Sequence, residues 1–278
     1  MTARLLILCV ALAGGLVAAD APSGPRPATT AGLHNVRQLT ARVLIGSSPD
    51  GLDGFASLRR LGVRTVLSVD GAPPEVELAA RHGLRYVHLP VGYDGVPPAQ
   101  LARIAKALRD LPGPVYVHCH HGKHRGPAAA TSALVCLGEM TPDDAVRAMR
   151  DAGTDPRYAG LIALPHTLTP LSAADLDRVP SDFPAQAPTA DLTQLMVRLD
   201  ATWDRLKSRP DAHDAVLLQE HFREARRLPE VARRGDAFVT LFEQAEAAAK
   251  RLEATPGRAD VRAASQRLCT QCHAKFRD

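Results

Sequence analysis

Aromatic residues make up only 4% of the 278-residue chain, with one Trp and four Tyr. That is too few for the stacking platform of a single-strand nucleic-acid binder. Charge of one sign is also lacking: 34 Lys and Arg stand against 30 Asp and Glu, and the net +4 is spread along the chain rather than gathered in a stripe. Nucleic-acid and membrane-surface binding are both disfavoured by that balance. Beyond the first twenty residues no apolar run reaches the ~18 residues that argue for a spanning helix. What remains is a globular composition, 45% hydrophobic and 23% charged, enough for one large domain or two ordinary ones. At the N-terminus Arg4 precedes an apolar run over residues 5–17 that ends in Val17, Ala18 and Ala19. Residues 1–19 therefore read as a secretory signal peptide, which places the mature chain outside the cytoplasm, in the bacterial periplasm, with no membrane span once the leader is cut.

Cysteine is scarce as well, with five in all. Cys9 falls in the leader, and Cys119, Cys136, Cys269 and Cys272 enter an oxidising compartment that tends to pair free thiols. A helix running from Arg125 would put Cys136 ~16 Å along it at 1.5 Å per residue, beyond the ~7 Å reach of a disulfide from Cys119. Cys136 is read as core.

Over residues 33–163 short β-type runs alternate with helical spacing, which implies a mostly parallel sheet with flanking helices. The strands are read at Val43–Gly46, 63–69, 86–91 and Val115–His118, and helices at 51–61, 74–82, 98–111, 127–137 and 141–151. Residues 164–188 hold five prolines and no sustained period, the mark of a linker that permits independent domains. Residues 189–278 carry helical patterns at about 189–208, 212–228, 235–254 and 258–276, broken by Pro210, Pro229 and Pro256-Gly257. Four amphipathic helices with short connections argue for an all-α four-helix bundle.

The densest chemistry is His118-Cys119-His120-His121-Gly122-Lys123-His124-Arg125-Gly126. A strand delivers Cys119 into a loop closed by Arg125, and a helix follows. Backbone N–H groups of such a loop, with a helix N-terminus behind them, form a nest for a phosphate, and the same potential favours the nucleophilic thiolate. Arg125 would clamp two phosphate oxygens, and Gly122 permits a backbone turn that a side chain would obstruct. The four histidines invite a metal-site reading. In a loop whose N–H groups point inward, however, their side chains should splay outward, where with Lys123 they add positive charge at the pocket mouth and favour anionic substrates.

These residues resemble the cysteine-dependent protein tyrosine and dual-specificity phosphatases, whose signature is His-Cys, five residues, Arg; the likeness spans about residues 33–160. It implies a cysteinyl-phosphate intermediate on Cys119, an Asp on an earlier loop that protonates the leaving oxygen, and a phosphorylated protein or small anionic phosphate as substrate. Asp94 is the candidate acid; Asp70 and Asp155 are weaker ones. Active members carry Ser or Thr after the Arg, where this chain has Gly126, so the loop either turns over slowly or binds phosphate without completing catalysis.

Near the C-terminus Cys269-Thr270-Gln271-Cys272-His273 reads as c-type haem attachment, with both thiols forming thioethers and His273 the proximal iron ligand. Together with Phe276 and Arg277 it resembles the cytochrome c-prime superfamily of four-helix haem proteins over about residues 187–278. The likeness implies covalently attached haem c, an unidentified redox partner and, as an assembly left open, a homodimer through the haem bundle. Met196 stands at the position of a distal iron ligand, with core packing as the alternative. Three functions compete: an exported phosphatase fused to a c-type cytochrome, an electron-transfer or redox-sensing protein whose phosphatase-like domain only binds an anion, and sulfurtransferase-like cysteine chemistry.

Overall fold

The computed structural model describes residues 30–277; the leader read at 1–19 lies outside them. Apart from the partly exposed, polar edge strand β1 (Arg37–Gln38), runs largely of apolar or β-branched residues form strands buried on both faces, as a sheet between helix layers requires. These are β2 (Val43–Gly46), β3 (Thr65–Ser68), β4 (Arg85–His88) and β5 (Val115–His118). The order is β1-β2-β5-β3-β4, parallel except for β1, which pairs antiparallel with β2. Gly46 and Ser68 both lie in register with His118. Three strands thus end together where the Cys119 loop begins, the end of a parallel sheet at which ligands bind.

Helices α1 (Gly51–Arg60) and α2 (Val76–Arg81) cover one face, around Phe55, Leu58, Val66 and Tyr116. Helices α3 (Pro98–Asp110) and α4 (Arg125–Cys136) cover the other, around Ile45, Leu67, Ile104, Val117 and Leu134. All 12 residues of α4 are buried; its Gly, Ala, Ser and Thr side chains let it sit between the sheet, α3 and α5 (Pro142–Asp151). Thr141 caps α5 by accepting from the Asp144 backbone N–H, with Pro142 at the first helical position. A short α6 (Ala159–Ala163) follows.

The segment read as a free linker, 164–188, is docked on the sheet layer. It holds α7 (Ala173–Arg178), whose Ser172 and Asp175 form a capping box. Leu176 is buried, and Leu164, Leu168, Leu171 and Phe183 pack on the same core. Its backbone is pinned too: the His88 N–H donates to Pro184 O at 2.9 Å, Lys106 Nζ to Leu176 O at 3.0 Å, and the Ala187 N–H to His88 Nδ1 at 3.2 Å. Prolines break the period that would have marked these apolar residues as anchors.

Beyond it the chain is helical: α8 (Leu192–Ser208), α9 (Ala212–Arg226), α10 (Pro229–Arg233), α11 (Asp236–Ala254) and α12 (Ala259–Phe276). Helix α9 packs on both α8 and α11, and α12 on α11. Pro229, expected in a turn, opens α10, the first-turn position where its missing N–H costs nothing. Among the described residues no helix is long and apolar enough to cross a membrane.

Candidate active site

Cys119 follows β5 directly, is 4% exposed, and faces the first turn of α4. A Cβ on Gly126 would stand 3.1 Å from Cys119 N and 3.5 Å from Cys119 Sγ, so the positive end of a three-turn helix rests against the thiol. The loop between them is fixed by contacts to its backbone. Gly122 has φ +68°, and a Cβ there would lie 2.2 Å from the Gly46 carbonyl carbon. Asn35 Nδ2 donates to Gly122 O and Ala152 O, both at 2.8 Å. Thr154 Oγ1 donates to Lys123 O at 2.5 Å, and the Ser48 N–H to His120 O at 3.0 Å. We expect Gly122→Ala to cost about 3 kcal/mol or more, from left-handed backbone strain plus a collision with backbone that cannot yield. A melting temperature unchanged from the parent would refute that reading of the loop.

Arg125 is 1% exposed. Its Nη2 donates to Asp70 Oδ1 at 2.9 Å, Nη1 lies 3.7 Å from Glu224 Oε1, and the guanidinium sits 4.1 Å over the Tyr93 ring. Its Nε is buried without a partner. Arg227 also engages Asp70, with Nη1 to Oδ2 and Nη2 to Oδ1 both at 2.8 Å. Burial acts to raise the Asp70 pKa, but Arg125 and Arg227 hold it well below the usual carboxylate range. Asp70 therefore stays ionised, which disqualifies it as a proton donor and makes it the group that orients Arg125. Asp155 is likewise lowered, to about 2, by the hydrogen bonds from Arg157.

Asp94 is exposed, on the loop after β4, where it lines a cavity of about 460 Å³ with Arg198, Arg205, His221 and Glu224. Cys119 and Arg125 do not line that cavity. It is the adjacent Tyr93, not Asp94, whose side chain reaches the centre, with its ring under Arg125.

Among the loop histidines, His121 is exposed and lines a surface cavity with His120, Lys123 and Arg227, whereas His118 departs from the expected outward splay. His118 points inward: its Nε2 lies 2.6 Å from Tyr86 Oη and its Nδ1 3.4 Å from Cys119 O. Burial pushes His118, His120 and His124 down to about 4, and lowers His121 too. His118, His120 and His124 are thus neutral near pH 7 and add no charge at the mouth. With His118 neutral, Nδ1–H donates to Cys119 O and Nε2 accepts from the Tyr86 hydroxyl, an assignment made from the hydrogen-bond network. His120 and His121 rings lie 4.2 Å apart, and His124 packs on Tyr158 at 4.3 Å. Among the described residues no group of three or more His, Cys, Asp or Glu could hold a metal ion. The cations near the loop are Lys123 and, unanticipated, Arg223 and Arg227 of the helical region.

In that region Cys269, Cys272 and His273 occupy one stretch of α12 at spacings that put all three on one face. They line a cleft with Met196, Trp203, Leu218, Phe222 and Phe242. Met196, expected opposite His273, is brought to this same cleft. Burial pushes both thiols up. Among the 18 residues of α12 only Ser265 is buried, while Trp203 Nε1 donates to Gln266 Oε1 at 2.6 Å and anchors the helix across the cleft. An apolar slot edged by two thiols and an imidazole suits a flat macrocycle better than a bare ion.

Residues 119–124 thus form a backbone-pinned loop from the end of β5 to the first turn of α4. No protein-family model matches the chain, and no curated protein matches it. Solved structures similar to it include a DUF442 protein of Shewanella putrefaciens CN-32, at 21% identity over 55% of this chain and 93% of that one, with a TM-score of 0.41. TpbA of P. aeruginosa matches at 23% identity over 48% and 96%, with a TM-score of 0.37. The core catalytic domain of the S. cerevisiae PP-IP phosphatase SIW14, in complex with citrate, matches at 15% over 54% and 87%, with a TM-score of 0.38.

Proposed function

We propose that the chain is an exported phosphatase of the tyrosine or dual-specificity type, joined to a four-helix domain that holds covalent haem c. The observation that carries the first half is Arg125, buried at the helix N-terminus behind Cys119 with one guanidinium N–H unpartnered. A buried, unmatched donor on a fixed cation beside a thiol is a place for an oxyanion. In the reaction Cys119 Sγ attacks phosphorus, the P–O bond breaks as Asp94 gives its proton to the leaving oxygen, and water then cleaves the cysteinyl-phosphate. Arg125 and the loop N–H groups stabilise the equatorial oxygens. Asp94→Asn should slow release of poor leaving groups at least tenfold more than good ones, because a good leaving group needs little protonation. Equal losses on a nitrophenyl ester and an alkyl phosphate would move the acid elsewhere.

For the second half, Cys269 and Cys272 would hold the haem by thioethers, His273 would face the iron, and Met196 would approach from α8. Bound there, haem c would supply one-electron chemistry for transfer or sensing. Export follows from the leader pattern at 1–19 and agrees with where c-type haem is attached. The rival reading, an anion-binding rather than catalytic loop, draws on Gly126, which places no hydroxyl beside Cys119. Hydrolysis of an aryl phosphate by the purified full chain, or its absence in chain whose Cys119 is shown by alkylation to be accessible, decides between them.

A further inference from the structure

Helix α9 has two packed faces. Ala215, Leu218, Phe222 and Ala225 join the clusters of the helical region. Val216 and Leu217 instead join Tyr93, Ala128, Met149, Tyr158 and Leu161 of the sheet layer. Continuing that second face, Glu224 reaches Arg125 itself, and Glu220 and Arg227, which follows the helix end, reach the residues that support it. Glu220 accepts from the Tyr93 hydroxyl at 2.6 Å and the Tyr158 hydroxyl at 2.9 Å. Arg227 grips Asp70 with two hydrogen bonds. Glu224, also buried, faces Arg125 and fills the space left by a missing side chain: a Cβ on Gly71 would overlap Glu224 Oε1 at 1.2 Å.

Buried carboxylates are costly unless paired, and the cation paired with Glu224 is the arginine that a phosphoryl group would need. A phosphate dianion brought to Arg125 would meet Asp70 and Glu224 at close range and be repelled. With Cys119 4% and Arg125 1% exposed, it could not arrive without movement in any case. We propose that α9 is an internal inhibitory segment: Glu224 takes the place of the phosphoryl group at Arg125, and a phosphorylated substrate gains the loop only when α9 withdraws. This rests on the phosphatase reading of Cys119 and Arg125. Because Leu218 and Phe222 of the same helix line the cleft of Cys269, Cys272 and His273, whatever fills that cleft bears on the latch.

The test uses the full chain and the variants Glu224→Gln, Gly71→Ala and Arg227→Ala. Glu224→Gln removes the competing charge, Gly71→Ala expels the carboxylate by sterics alone, and Arg227→Ala cuts the tie to Asp70. Alkylation of Cys119 by iodoacetate, followed by mass spectrometry, reports access without requiring turnover. Inhibition by inorganic phosphate reports competition at Arg125. Each variant should alkylate about tenfold faster and bind phosphate about tenfold more tightly, within the usual range of coupling between sites. Folded variants with unchanged alkylation and unchanged phosphate affinity would overturn the latch. Hydrogen exchange on the parent gives a measure free of substitutions: tungstate should speed exchange across 220–227, and undiminished protection with tungstate bound would also overturn it. Faster alkylation with no hydrolysis in any variant would uphold the latch while removing the catalytic reading.

Discussion

Cys119→Ser should abolish hydrolysis of aryl phosphates, with a fall of roughly 10⁴-fold or more, the scale on which removal of a covalent nucleophile acts. The exchange alters one atom. It leaves Gly122 wedged against Gly46, Asn35 bonded to Gly122 O, and Arg125 oriented by Asp70, so the anion nest survives. Tungstate affinity should therefore stay within about threefold of the parent, a shift below 1 kcal/mol. Arg125→Ala, in contrast, should lose both turnover and tungstate binding, and should also destabilise the fold by roughly 3–5 kcal/mol, since Asp70 and Glu224 lose a buried partner. Unchanged turnover in Cys119→Ser would remove Cys119 from the chemistry. Loss of tungstate binding in that variant would mean the thiol, and not the loop, holds the anion.

The second large effect concerns the C-terminal helix. When the chain is produced in a cell that attaches c-type haem, it should retain haem stain on a denaturing gel, and Cys269→Ala with Cys272→Ala should lose all of it. The two thiols lie on one face of α12, beside the apolar wall of Leu218, Phe222 and Phe242, so a porphyrin edge seated in the cleft would meet both. Met196→Ala should leave the covalent stain intact yet change the spin-state bands of the absorption spectrum, because Met196 lines the same cleft as His273. A parent chain with no stain would refute the haem assignment, and an unaltered spectrum in Met196→Ala would return that residue to core packing.

Local signals made half of this site legible. The β5-loop-α4 unit is contiguous, its strand is wholly apolar or β-branched apart from the terminal His118, and its Cys-x5-Arg spacing is a statement about one turn of backbone. The long helices likewise show in the 3.6-residue period. Nothing local announces β1, two residues long, which is too short for any period. Nor does a periodic reading find the second face of α9: Glu220, Glu224 and Arg227 look like a solvated edge, and their partners Tyr93, Gly71 and Asp70 lie far upstream, with Arg227 and Asp70 157 positions apart. The neutrality of the buried loop histidines is hidden from the sequence for a related reason. Residue type suggests positive charge, whereas burial, visible only after folding, removes it.

The docking of residues 164–188 also limits how far the two halves can part. Ala187 is held by His88 and α8 begins at Leu192, so only residues 188–191 are free to stretch, to about 14 Å at ~3.5 Å per residue. A released α9 would remain at a local concentration in the millimolar range typical of short tethers. Its return to Arg125 would be a first-order event, indifferent to how dilute the protein is. The helical region supplied as a separate polypeptide would forfeit that advantage and inhibit poorly, even with every contact available to it.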